Sequence, residues 1–89
     1  MGMDKKIEKK KKMPHIHLKI AAGQSEENKQ KLADLFTKVI TENTENPDEA
    51  VSVAIEDIPK EDWKDAVYDK EIKPNIESLY KKPGYSFDE

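Results

Sequence analysis

His15 and His17 stand two residues apart in the run PHIHLKI, and Lys19 follows at the same spacing. On a strand, where successive side chains alternate between faces, all three share one side. Two imidazoles so placed could form part of a metal site or relay a proton near neutral pH. The chain has no cysteine and no third ligand at a matching spacing, so partly exposed strand histidines and no metal are expected. Asp69 and Glu71 are the other pair to weigh, because two carboxylates can divide acid and base duties. Two residues apart on a helix they point in different directions, and they read as capping or interface groups.

All 16 basic residues are lysines. Without arginine, no planar fork is present to grip a carboxylate or phosphate bidentately. Residues 1–13 hold six lysines against Asp4 and Glu8, a net of +4 in a chain whose total is −3, so the remainder is acidic. This segment is too polar and self-repelling to pack and reads as a Lys-rich disordered extension, with residues 14–89 as the domain.

The elements that must position these groups follow from periodicity. Ile16, Leu18 and Ile20 alternate with His15, His17 and Lys19, the pattern of a strand with one buried face, and Pro14 fits its first position because no ladder donor is needed there. After a turn at Ala21, Ala22 and Gly23, Ser25 is an N-cap with Glu26 and Glu27 in the first turn. Leu32, Leu35, Phe36, Val39 and Ile40 then form one apolar helical stripe. Residues 43–49, with Asn46 and Pro47, stop the helix, and Val51, Val53 and Ile55 alternate again. Strand, helix and strand with short links make a βαβ unit with parallel strands and a right-handed crossover. Trp63, Ala66, Val67, Ile76, Leu79 and Tyr80 predict a second helix over about 60–81. Pro74 should split it near Ile72, leaving a short piece with proline in its first turn. Residues 85–89 form a short tail that adds an edge strand or covers a neighbour.

The fold class is therefore α/β, a single small domain of 89 residues and 10.2 kDa in which only 35% of residues are hydrophobic. With two strands and so few apolar residues, a self-sufficient core is not expected, and a symmetric partner extending the sheet would cover its edges. A homo-oligomer, most simply a dimer, is the expectation. No apolar run approaches the roughly 18–20 residues that span a bilayer, and no apolar stretch follows the first lysines, which together predict a cytoplasmic protein.

Pro14 opening a strand after a methionine, the AAGQS turn, the helix SEENKQKLADLFTKVI and the strand VSVAIEDI together resemble the tautomerase superfamily, typified by 4-oxalocrotonate tautomerase. The run DWKDAVYDKEIKPNIESLYKKPGYS is more specific, and is similar to a dimeric branch of that superfamily found in Escherichia coli. The resemblance covers residues 14 to about 87. It implies a β-α-β subunit that assembles into dimers or larger oligomers, needs no cofactor, and uses an N-terminal proline as general base in keto-enol tautomerisation. A terminal prolyl amine is basic and rigidly placed, and apolar surroundings lower its pKa towards neutrality. Its nitrogen must be free, because bonded to Met13 it is an amide without a basic lone pair. Translation from Met13 followed by loss of that methionine would expose Pro14. The purine-rich codons of the preceding segment then suit an upstream ribosome-binding region, with an engineered leader as the other source.

The same resemblance assigns substrate contacts. Two arginines that bind carboxylate and carbonyl in 4-oxalocrotonate tautomerase correspond to Gln24 and Ser52, so a monoacidic enol such as an aryl pyruvate enol is expected over a dicarboxylate. Trp63 occupies the position of an active-site phenylalanine, where it would wall the amine or pack in the core. Lys19 is the nearby cation available to an enolate oxygen, or else a solvated surface lysine. Two other functions compete with catalysis. The lysine tail could bind nucleic acid or an anionic membrane, but it lacks aromatic residues and arginine and adjoins an acidic body, so neither partner is expected. A catalytically silent oligomer that keeps the fold for interaction is the third reading.

Overall fold

The computed structural model describes residues 13–87, so the segment expected to be disordered lies, but for Met13, outside the described residues. Strand β1 (His15–Ala21), helix α1 (Glu26–Asn43) and strand β2 (Ser52–Ile58) follow in that order, and the two strands pair in one sheet. The Ser52 N–H donates to the Pro14 carbonyl at 3.1 Å, and the Ala22 N–H donates to the Ile58 carbonyl at 2.8 Å. Both partners advance together along the chain, so the strands are parallel, as the βαβ pattern requires.

The described residues form two compact units, the first built from residues 13–18 and Gln24–Glu56, the second from Lys19–Gly23 and residues 57–87. In the first unit, α1 starts where Ser25 accepts a hydrogen bond from the Asn28 N–H at 3.0 Å, with Glu26 and Glu27 in the first turn. It ends where the Thr44 N–H and hydroxyl both donate to the Ile40 carbonyl, at 2.9 and 2.6 Å. Asn46, buried in the turn that follows, donates through its backbone and its amide to the Thr44 hydroxyl. A 3₁₀ turn (Asp48–Ala50) then leads into β2.

The apolar stripe of α1 is rotated from the one the sequence pattern suggests. Leu32, Phe36 and Ile40 are half-buried together with Ala33, Thr37 and Thr41, whereas Leu35 and Val39 remain 47% and 54% exposed. Leu32, Phe36 and Ile40 form a ridge of residues four apart, and Leu35 and Val39 lie to one side of it, away from Ala33, Thr37 and Thr41. Two apolar side chains on this helix are thus left in solvent.

The second unit departs further from a single α-helix over 60–81. A 3₁₀ turn (Lys60–Asp62) precedes a π-helical run (Lys64–Ile72), and a second 3₁₀ segment (Lys73–Ser78) ends the helical path, with Leu79 already extended. Pro74 explains the break, since it has no N–H to give the preceding turn. The Lys73 N–H reaches back five residues to the Tyr68 carbonyl. The Asn75 side-chain amide supplies the Glu71 carbonyl with a donor at 2.9 Å. Residues 85–87 form no strand; Tyr85 and Phe87 pack on Tyr68 with ring centroids 6.0 and 5.0 Å away. That contact makes Tyr68, with Val67 and Ile58, the buried apolar centre.

Val67 is 4% exposed, so removing its two methyl groups forfeits buried apolar surface and leaves a void. Val67→Ala is expected to lower stability by about 2 kcal/mol in urea unfolding. A change under about 0.5 kcal/mol, the size typical of surface positions, would place the core elsewhere.

Candidate active site

The first unit gathers Pro14, His15 and Ser52 at the start of the sheet. Pro14 is half-buried, and its carbonyl is tied to the Ser52 N–H. Its ring needs no ladder donor, so the residue is fixed on its carbonyl side alone. Met13 is 73% exposed and has φ of 52°, in the left-handed region that costs a non-glycine residue roughly 1–2 kcal/mol. The peptide bond to Met13 makes the Pro14 nitrogen an amide in the 89-residue chain.

Ser52 is bonded a second time on the same strand pair, for its hydroxyl shares a 2.6 Å hydrogen bond with His15 Nδ1. One turn of the pleat further, His17 Nε2 donates to Glu56 Oε1 at 2.8 Å, both side chains being about half exposed. The two histidines therefore have separate partners on β2. Among the described residues no three His, Cys, Asp or Glu side chains are gathered as a metal site. Gln24 sits in the loop before the N-cap, where its carbonyl oxygen accepts from the Asn28 side chain. Gly23, with φ of 130°, makes the sharp exit that puts Gln24 there, a conformation that side-chain-bearing residues rarely adopt.

The second unit holds the other residues singled out from the sequence. Lys19 is ion-paired with Glu71, and Lys64 with Asp69 at 3.0 Å. The two carboxylates thus act as separate lysine partners and neither caps a helix. The hydrogen bond and charge of Asp69 hold the exposed Lys64 ammonium above its ordinary pKa. Such a pair stabilises the protein below the usual lysine range and loses its effect as pH rises past the folded value.

Trp63 is half-buried and donates from Nε1 to the Tyr85 hydroxyl at 3.0 Å. With Ala21, Lys60, Tyr85 and Phe87 it lines a mostly apolar pocket of about 450 Å³. Tyr85, Phe87 and Lys60 are pocket residues that sequence periodicity did not single out. The aromatic cluster at KPGYSF was the available signal, but only its contact with Tyr68 shows where it folds.

A parallel β-α-β unit with a proline opening its first strand defines a class of small proteins, and comparison with known proteins agrees with it. The family described as "Tautomerase enzyme" matches residues 14–73. A probable tautomerase of Xylella fastidiosa (strain 9a5c) is 45% identical over 73 residues, covering 82% of this chain and 89% of the relative. The tautomerase PptA of Pectobacterium carotovorum subsp. carotovorum (strain PC1) is 42% identical over 76 residues, covering 84% of this chain and all of the relative. That of Escherichia coli O9:H4 (strain HS) is 41% identical over 75 residues, covering 83% and 99%. The chain belongs to the tautomerase family, and its function is of the tautomerase type, an isomerase chemistry. Among the described residues no helix is long and apolar enough to cross a membrane.

Proposed function

We propose that the chain, when it begins at Pro14, is a cofactor-independent keto-enol tautomerase whose prolyl amine is the general base. The observation that carries this reading is that the family match starts at residue 14, the proline that opens β1. The relative from Pectobacterium, matched over its whole length, covers 84% of this chain, which suits a domain of residues 14–89 behind a separate extension.

The free amine removes the hydroxyl proton of a 2-hydroxy-enol acid. The oxygen lone pair then closes the carbonyl, and the carbon–carbon double bond takes the proton back at the adjacent carbon. The proton leaves and returns to the same molecule, so the balance needs no cofactor. Gln24 and Ser52 are neutral, which favours a monoacidic substrate. Family resemblance supports Trp63 as an apolar wall for its body, and Lys19, placed by strand alternation on the face of His15 and His17, is the cation offered to the developing enolate oxygen, a role it would share with its bond to Glu71. Turnover of phenylenolpyruvate by natively produced protein, whose intact mass identifies its first residue, tests the reading. Turnover by protein that retains Met13 would refute the amine mechanism.

The active species is an oligomer, most simply a homodimer. Leu35 and Val39 on α1 and Tyr80 after the last helical turn are exposed, and among the described residues no side chain is fully buried. A lone subunit thus leaves apolar surface that a second copy would cover. Sedimentation at micromolar concentration is expected to give a dimer or larger, and truncation after Ile72 to weaken it. A folded monomer at that concentration would contradict the assembly.

A further inference from the structure

We infer that Lys60 is the carboxylate-binding residue of the pocket formed by Trp63, Tyr85 and Phe87, and that this pocket takes a small aromatic monocarboxylate. The inference goes beyond the proposed reaction and stands on this pocket alone, whose described lining lies within the second unit. Its volume of about 450 Å³ falls in the range of small-molecule sites, roughly 300–1,000 Å³. Among the described residues the lining is three aromatic rings, the small Ala21 and one charged side chain, Lys60. Rings offer their faces to a flat apolar body, and the Lys60 ammonium offers a carboxylate one charge-assisted partner.

Local structure holds these groups in place. The 3₁₀ turn bonds the Trp63 N–H to the Lys60 carbonyl, and residues three apart in such a turn lie on the same side. Tyr85 is fixed by the Trp63 indole, and Phe87 stands edge-on to Tyr85 at 5.8 Å and to Tyr68 at 5.0 Å. The other lysines of this unit that bear on the question are engaged, Lys19 by Glu71 and Lys64 by Asp69. Lys60 makes no ion pair among the described residues, so its ammonium is available to a ligand.

Trp63 is the chain's only tryptophan, so its indole N–H gives a single identifiable resonance. The test titrates the isotopically labelled 89-residue protein with phenylacetate and, in parallel, with its neutral counterpart 2-phenylethanol. Phenylacetate should move the indole resonance saturably and bind at least about tenfold tighter than the alcohol, the difference expected of one charge-assisted bond. Lys60→Gln should bring the acid down to the alcohol's affinity and leave the alcohol unchanged, while Lys60→Arg keeps the preference. Phe87→Ala should weaken both ligands alike.

Equal affinities in the unmodified protein, or an acid preference that survives Lys60→Gln, would overturn the inference. So would an indole resonance that moves on dilution and ignores the acid, because a second copy would then fill the pocket. Binding is read on a chain whose Pro14 nitrogen is an amide, so it does not depend on turnover. Acid binding without catalysis by the Pro14-initiated chain would sink the proposed reaction and keep the site; catalysis without a Lys60-dependent acid preference would do the reverse.

Discussion

Protein beginning at Pro14 is expected to tautomerise phenylenolpyruvate at least two to four orders of magnitude faster than the 89-residue chain. The difference is one bond. In the longer chain the Pro14 nitrogen lends its electron pair to the Met13 carbonyl and cannot accept a proton. In the shorter it is an amine, and a positioned general base contributes about 10²–10⁴-fold. Apolar surroundings disfavour the protonated amine and so lower its pKa towards neutrality, which enlarges the share of free base at neutral pH. The rate should therefore fall as pH drops through the amine's pKa, because the protonated form is no base. Pro14→Ala in the shorter chain leaves a primary amine in place of the secondary one at a similar position and should retain part of the activity. Equal rates for the two chain lengths would end the free-amine mechanism.

The second large effect is in substrate choice. A carboxylate held by a guanidinium gains charge-assisted hydrogen bonds worth about 1.5–3 kcal/mol each, and Gln24 and Ser52 provide none. The Pro14-initiated chain should thus turn over the dicarboxylate 2-hydroxymuconate with a kcat/KM one to several orders of magnitude below that of an arginine-bearing relative. Phenylenolpyruvate should suffer less, since its single charge needs one cation and its ring an apolar wall. Ser52 pairs with Pro14 through its backbone and with His15 through its hydroxyl, so its side chain leaves the sheet beside the proposed base. Ser52→Arg gives up the link to His15 and should raise the dicarboxylate rate more than the monoacid rate. A native preference for 2-hydroxymuconate would refute this account of specificity.

The β-α-β frame was legible in the sequence because its signals are local. Alternation at Ile16, Leu18 and Ile20 and at Val53 and Ile55, with Ser25 as the cap between, needs no knowledge of distant contacts. Pro74 likewise broke the second helix where its chemistry requires. The exposure of Leu35 and Val39 was not legible, since an amphipathic stripe defines a face only to within a neighbouring ridge. The π-helical run was hidden for a related reason. Its wider turns shift later side chains around the axis, and a 3.6-residue pattern misplaces them. Among the candidate site residues, Pro14, Ser52 and Trp63 are legible from the residues and the family they resemble. The pairing of Ser52 with His15 depends on strand register, which a one-residue slip would reverse. Tyr85 and Phe87 escaped notice because their partner, Tyr68, lies 17 and 19 positions earlier in the chain.

Under the proposed start at Pro14, the backbone at Met13 would separate maturation from folding. Met13 is 73% exposed, so its loss would forfeit little burial. The tie that holds Pro14 runs from its carbonyl to Ser52, on the side away from that bond. Releasing the nitrogen would then change what the residue can do while leaving where it sits. Activation on these terms is a change of ionisable inventory at a finished scaffold, with a new proton acceptor created by hydrolysis of one exposed bond.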